Sequence, residues 1–184
     1  IEVLVNNAGI NRPGLAMAHN MIARALYAYE RHADALAAAN MSVRLDPLST
    51  LIRTAVGDAY YFAREYERSI LHYRMAIELD PRYAAAYAGC SSAYGQMYQW
   101  FSREERYRDK AQELSFKALM YDSNLPEAYA AMGLSYFIWG KFDEASASSR
   151  KAIELDPDDF IAYWTLGRIH FSSGELEQSL DLFR

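Results

Sequence analysis

The stretch PEAYAAMGLSYFIWGKFDEASASSRKAIELDPDD, residues 126–159, decides the fold, because most of the chain repeats it. Its closing Leu155-Asp156-Pro157 recurs as Leu45-Asp46-Pro47 and Leu79-Asp80-Pro81, and Tyr121-Asp122-Ser123 closes a further copy. Self-similarity at a period of 34 residues marks stacked helical hairpins. Within the stretch, Ala128, Met132 and Tyr136 recur four apart, as do Ala145 and Ser149, and Gly140-Lys141 interrupts between the two runs. That pattern predicts two helices per unit. Proline is tolerated in the first turn of a helix but not inside it, and it pushes the residue before it out of the helical region. Each Asp-Pro therefore ends one helix and begins a linker.

Alignment on these closings predicts units at 16–49, 50–83, 84–125, 126–159 and a shortened 160–184, preceded by a segment at 1–15 that reads as a degenerate upstream unit or the tail of a preceding region. One column of small residues runs Ala23, Gly57, Ser91, Gly133, Gly167; its spacing is 42 instead of 34 between Ser91 and Gly133, so the third unit carries eight extra residues. Two more run Ala35, Ser69, Ala111, Ala145, Ser179 and Ser42, Ala76, Ala118, Ala152. Small side chains let helices approach, and a bulky residue there overpacks the contact at roughly 1–3 kcal/mol. The large apolar columns Ile22, Val56, Cys90, Met132, Leu166 and Leu26, Tyr60, Tyr94, Tyr136, with His170 last, are expected to fill the space left over.

These residues resemble the tetratricopeptide repeat family. In 126–159 the marks are Tyr129, Met132, Gly133, Tyr136, Gly140, Phe142, Ala145, Ala152 and Pro157, and the repeats cover 169 of 184 residues. The pattern is departed from at His19, Ala39, Ser123 and Ser149. The resemblance implies an all-α, right-handed α-solenoid whose first helices line a concave groove for a protein or peptide partner. The groove members expected to be exposed are Arg24 and Tyr27 in the first unit; Asp58, Tyr61 and Phe62 in the second; Ser92 and Gln96 in the third; Leu134, Phe137 and Ile138 in the fourth; and Trp164, Arg168 and Phe171 in the fifth. Aromatic and arginine side chains dominate binding energy at interfaces, which favours a partner peptide or helix there.

Two subtypes of the family do not match. Chaperone adaptors hold a C-terminal carboxylate with lysines, asparagines and an arginine, where this chain has Asn20, Arg24, Ala55, Ala85 and Gly89. The asparagine ladder of glycosyltransferase-linked arrays is replaced by Met21, Ala55, Gly89, Ala131 and Thr165. The enlarged third repeat beginning Ala86-Tyr87-Ala88-Gly89 is similar to arrays attached to bacterial kinases, nucleotide cyclases and winged-helix regulators, which makes a regulatory region of a larger signalling protein the alternative reading. The eight extra residues lie around Gln99 to Tyr107 and are expected to lengthen the helices or form a projecting corner, with Trp100 and Phe101 either a second contact or, as is commoner for such aromatics, folded back on the neighbouring corner towards Tyr66.

Composition agrees with a stacked core: 52% of the 184 residues are hydrophobic, with fifteen tyrosines. With 19 basic and 24 acidic residues and a net charge of −5, the chain offers no basic stripe for phosphates, so nucleic acid is not expected as a partner. No uninterrupted apolar run approaches 18 residues, so neither a membrane span nor a signal peptide is read, and a cytoplasmic location is expected. The single Cys90 falls in a core column and reads as a buried structural thiol. The chain starts at Ile1 and stops before the fifth unit's closing marks, so an excerpt of a longer protein is expected, with self-association through an uncovered last helix as a further expectation.

Catalytic, metal and cofactor signatures are weak. Asn6-Asn7-Ala8-Gly9 resembles a loop of short-chain dehydrogenases, but no glycine-rich nucleotide loop and no tyrosine followed four residues later by lysine accompany it. His19 and His170 fall in apolar columns, His32 in the aromatic column of Tyr66 and Phe142, and His72 reads as lying on an outer helix face. Asp156, Asp158 and Asp159 read as a helix-end turn because the mid-loop glycine of a calcium loop is missing. Asn40-Met41-Ser42 is a glycosylation sequon inside a predicted helix. A binding protein with no enzymatic activity, no cofactor and no metal is the expectation.

Overall fold

The computed structural model describes residues 12–28 and 31–182. Every regular element among them is helical: α1 (Arg12–Ala28), α2 (His32–Leu45), α3 (Thr50–Phe62), α4 (Tyr66–Leu79), α5 (Ala84–Trp100), α6 (Glu105–Tyr121), α7 (Pro126–Ile138), α8 (Phe142–Leu155), α9 (Phe160–Ser172) and α10 (Leu176–Leu182). The chain divides into two compact units, residues 1–79 and 80–184. The loop motif at Asn6-Asn7-Ala8-Gly9 lies outside the described residues.

Both turn types recur for stereochemical reasons. After α3, α7 and α9 the chain passes through one residue of positive φ: Arg64 at 62°, Gly140 at 74° and Gly174 at 79°. In each case the next amide reaches back five residues, Glu65 to Tyr60, Lys141 to Tyr136 and Glu175 to His170, all at 2.9 Å. This αL closure satisfies carbonyls that the helix end would leave orphaned, and glycine adopts it without steric cost. At the other end of each unit the recurring aspartate has its own task. Asp80, Asp122 and Asp156 each accept, through Oδ1, the amide two residues on, at 2.9, 2.9 and 3.0 Å. The turn therefore survives where Ser123 replaces proline.

In the first unit α1 pairs with α2 and α3 with α4, and α3 packs on both α1 and α2. Ala16, Ala23, Ala39, Ile52, Val56, Ala59 and Tyr60 form its core. Asn40 Nδ2 contacts the Tyr60 hydroxyl at 2.8 Å and donates to Leu36 O at 2.8 Å, so the sequon asparagine is engaged internally. In the second unit the hairpins are α5–α6, α7–α8 and α9–α10; α5 packs on α7 and α7 on α9. Among the described residues α6, α8 and α10 do not pack on one another. The hairpins therefore fan outward from an inner layer of α5, α7 and α9.

The small columns meet inside each hairpin. Ser69 Oγ donates to Gly57 O at 2.9 Å, Ser179 Oγ to Gly167 O at 2.8 Å and Ser91 Oγ to Ala111 O at 2.6 Å. A Cβ at Gly57 would stand 2.7 Å from the Tyr73 ring, and one at Gly133 would stand 2.4 Å from Ser149 Oγ and 3.2 Å from Ala145 O. These helices touch through backbone, so the smallness is geometric.

Two expectations are corrected. Ile22 is exposed although Val56, Cys90, Met132 and Leu166 of its column are buried, because its face of α1 has no helix packed against it among the described residues. His72 is not on an outer face. It is half-buried and stacked on Tyr60 at 5.3 Å, and its Nδ1 is buried with no hydrogen-bond partner. Burial, with the charge of Arg53 second, lowers its pKa from 6.5 to about 4.

Three outcomes follow for stability. Gly133→Leu should lower stability by about 3 kcal/mol through overpacking against α8, read by urea denaturation; an unchanged midpoint contradicts the hairpin contact. Arg64→Gly should stabilise by about 1 kcal/mol, since it removes a side chain from the left-handed region. For His72, the unfolded chain takes up a proton below pH 6.5 that the folded chain resists down to about 4. Its contribution is present above that range and is lost as pH falls through it. His72→Phe should therefore lose less stability than wild type between pH 7 and 4.5, and parallel melting profiles exclude this role.

Candidate functional site

The site is built by the enlarged third repeat. Helix α5 has 17 residues and α6 has 17, where α3, α7 and α9 have 13 and α4 and α8 have 14. Four added residues in α5, three in α6 and one in the turn account for the eight-residue insertion. The turn at 101–104 dispenses with positive φ; instead the Phe101 and Ser102 amides both donate to Met97 O, at 3.0 and 2.9 Å. The extension carries Tyr98, Gln99 and Trp100 beyond the point where the other inner helices stop. There they face the end of α7 and the middle of α9 across a cleft of about 170 Å³, lined by Tyr98, Gln99, Trp100, Arg103, Phe137, Ile138 and Arg168.

Arg168 is the centre of this cleft. Its guanidinium carbon lies 4.3 Å from the Phe137 ring, 4.3 Å from the Trp164 ring and 5.8 Å from the Trp100 ring. Its Nη1 donates to Gln99 Oε1, a contact that ties α9 to the extended α5. Gln99 Nε2 is buried and without a hydrogen-bond partner. Burial, and then the charge of Arg103, lower the Arg168 pKa to about 10. The rest of the corner is also cation on ring: Arg103 stands 5.5 Å from Tyr98, and Arg108 stands 3.8 Å from Trp139. Trp100 Nε1 donates to Gln96 Oε1 at 2.7 Å. The insertion thus forms a projecting corner that leans on the following two hairpins.

The groove residues named from sequence separate into three groups. Phe137, Ile138, Trp164 and Arg168 come together at the cleft, and Phe171 and Phe62 are exposed. Tyr61, Ser92, Gln96 and Leu134 are corrected to buried positions. Tyr61 packs at 5.5 Å on Tyr66 across the turn of its own hairpin, as Phe137 does at 5.7 Å on Phe142. Leu134 fills the space above Gly95, where a Cβ would meet it at 3.2 Å. Asp58 is exposed, but its Oδ1 accepts a 2.6 Å bond from the hydroxyl of Tyr73, a fully buried ring. Burial and then the Asp58 charge hold the Tyr73 pKa well above its ordinary value. Arg24 and Tyr27 fall on α1, and their side chains lie outside the described residues.

Sequence reasoning missed Tyr98, Gln99 and Arg103. Gln99 and Arg103 sit in the inserted stretch, which has no counterpart in the other repeats and so joins no column. Among the described residues no group of three or more His, Cys, Asp or Glu could hold a metal ion, and no helix is long and apolar enough to cross a membrane. Asp159 acts as an N-cap, accepting the Ala162 amide at 2.8 Å.

Residues 133–174 match the family described as TPR repeat. The chain is 28% identical over 107 residues to small glutamine-rich tetratricopeptide repeat-containing protein 2 of Mycosarcoma maydis, an alignment covering 58% of this chain and 28% of that protein. It is 24% identical over 137 residues to RNA polymerase II-associated protein 3 of Mus musculus, covering 74% of this chain and 20% of that one. The chain therefore spans well under a third of the length of these relatives. Its fold is that of a thermophilic TPR protein of Thermus thermophilus, with TM-score 0.78 at 20% identity over 91% of this chain and 88% of that chain. Residues 133–174 thus carry the tetratricopeptide repeat, and the fold is an all-α repeat array of the solenoid class.

Proposed function

We propose that the chain is a non-catalytic interaction module that grips an extended segment or helix of a partner protein on the inner face of its second unit. The supporting observation is the Arg168 cleft, where three aromatic rings surround a guanidinium next to apolar Ile138. Rings and arginines in a concave, partly desolvated site are the groups that carry interface energy. Concavity follows from the packing of α5 on α7 and α7 on α9. The relative named for its association with RNA polymerase II agrees with an assembly role. The net charge of −5 argues against nucleic acid as the partner, because phosphates are bound chiefly by neutralising cations.

The test is a pull-down from source lysate with wild type and with Trp164→Ala combined with Phe137→Ala, followed by affinity measurement for the recovered partner. The double substitution should weaken binding at least about 30-fold, the scale of hot-spot loss. Circular dichroism should show unchanged helicity. A partner retained with unchanged affinity sinks the inner-face assignment.

A further inference from the structure

We propose that the cleft takes the carboxylate of an acidic residue in the bound segment, held by the Arg168 guanidinium with Arg103 as second cation; this rests on the inner-face reading above. The Phe137 and Trp164 ring centroids each lie 4.3 Å from the Arg168 guanidinium carbon. Nη1 is taken by Gln99, whereas Nε and Nη2 have no acceptor among the described residues, and the adjacent Gln99 Nε2 has none either. Arginine presents its edge as a fork that matches two carboxylate oxygens.

The charges around the cleft are unbalanced. Among the described residues neither Arg103 nor Arg168 makes an ion pair, while Arg31, Arg68, Arg106 and Arg108 are each paired with an aspartate or glutamate. None of the seven residues lining the cleft is acidic. A half-buried cation facing a second cation is unfavourable unless an anion arrives, and the rings compensate only in part. The ends of α5 and α7 bring partial negative charge, but Met97 O and Tyr136 O are already capped by backbone amides. The cleft of about 170 Å³ suits one side chain and not a helix. Trp100, Phe137 and Ile138 supply an apolar wall for a neighbouring residue of the same segment. Because the chain as a whole is acidic, the attraction is local, and acidic peptides are not drawn in by the net field.

The experiment is a random-peptide selection against the full 184-residue chain, with the enriched sequences resynthesised and measured by fluorescence anisotropy. The expected result is enrichment of Glu or Asp beside an aliphatic or aromatic residue. Replacing that acid by Gln should cost wild type about tenfold and Arg168→Gln less than twofold, the signature of direct coupling. Arg103→Gln, on the exposed turn, should weaken acidic peptides about threefold and serves if Arg168→Gln does not fold. Amidating the peptide terminus should leave affinity unchanged, because the proposed ligand is a side-chain carboxylate; loss of binding on amidation assigns the cleft to a terminal carboxylate and overturns the proposal. Enrichment without acids, an acid effect that persists in Arg168→Gln, or tenfold tighter binding when phosphoserine replaces the acid overturns the proposal while leaving the inner-face reading intact. Peptides whose binding ignores Trp164→Ala with Phe137→Ala, or no enrichment at all, remove that reading as well.

Discussion

The contact on which everything else depends is the backbone approach of the two helices in each hairpin. Ser69 on Gly57 and Ser179 on Gly167 are hydroxyl-to-carbonyl bonds between helices, at 2.9 and 2.8 Å, and they hold the two helices at backbone contact. The same closeness puts the Tyr73 ring directly over Gly57 and the Ser149 hydroxyl over Gly133. Once a hairpin is closed in this way, each helix has one face left for the next hairpin. Stacking then buries that face in a continuous core, because no single hairpin can bury it alone.

The turns hold this register. An αL closure after α3, α7 and α9 and an aspartate loop after α4, α6 and α8 begin and end the elements at fixed intervals. The third repeat departs from that rule in only one place. It lengthens α5 and α6 symmetrically, so the small columns on either side still meet, as Ser91 does with Ala111. Insertion at the corner thus leaves the packing intact and produces a new surface. Tyr98, Gln99, Trp100 and Arg103 exist as cleft residues because the helix runs past its usual end.

Charge and burial meet at Arg168. Its guanidinium lies against aromatic rings, yet none of the residues that line the cleft is acidic. Where ion pairs occur they are on the surface and worth little to stability. A cation kept partly out of water without an ionic partner has a cost in the free protein. Functional sites commonly violate local rules in this way.

The repeat period, the two helices per unit, the helix-ending aspartates and the small columns were all legible in the sequence, because each is a local or strictly periodic requirement of backbone geometry. The cleft was half legible. Phe137, Ile138, Trp164 and Arg168 fall at inner-helix positions and could be named, but periodicity alone cannot tell which side of a helix a neighbour covers. Leu134 is therefore buried over Gly95, and Tyr61 turns back onto Tyr66. Gln99 and Arg103 have no equivalents in other repeats, so no column could place them. Sequence by itself determined that the chain is a stack of helical hairpins, since repetition at 34 residues leaves little else that buries these apolar faces. Only the tertiary structure decided that an arginine of the fifth repeat meets a glutamine of the third, 69 residues apart, because that meeting depends on how far one lengthened helix projects over its neighbours.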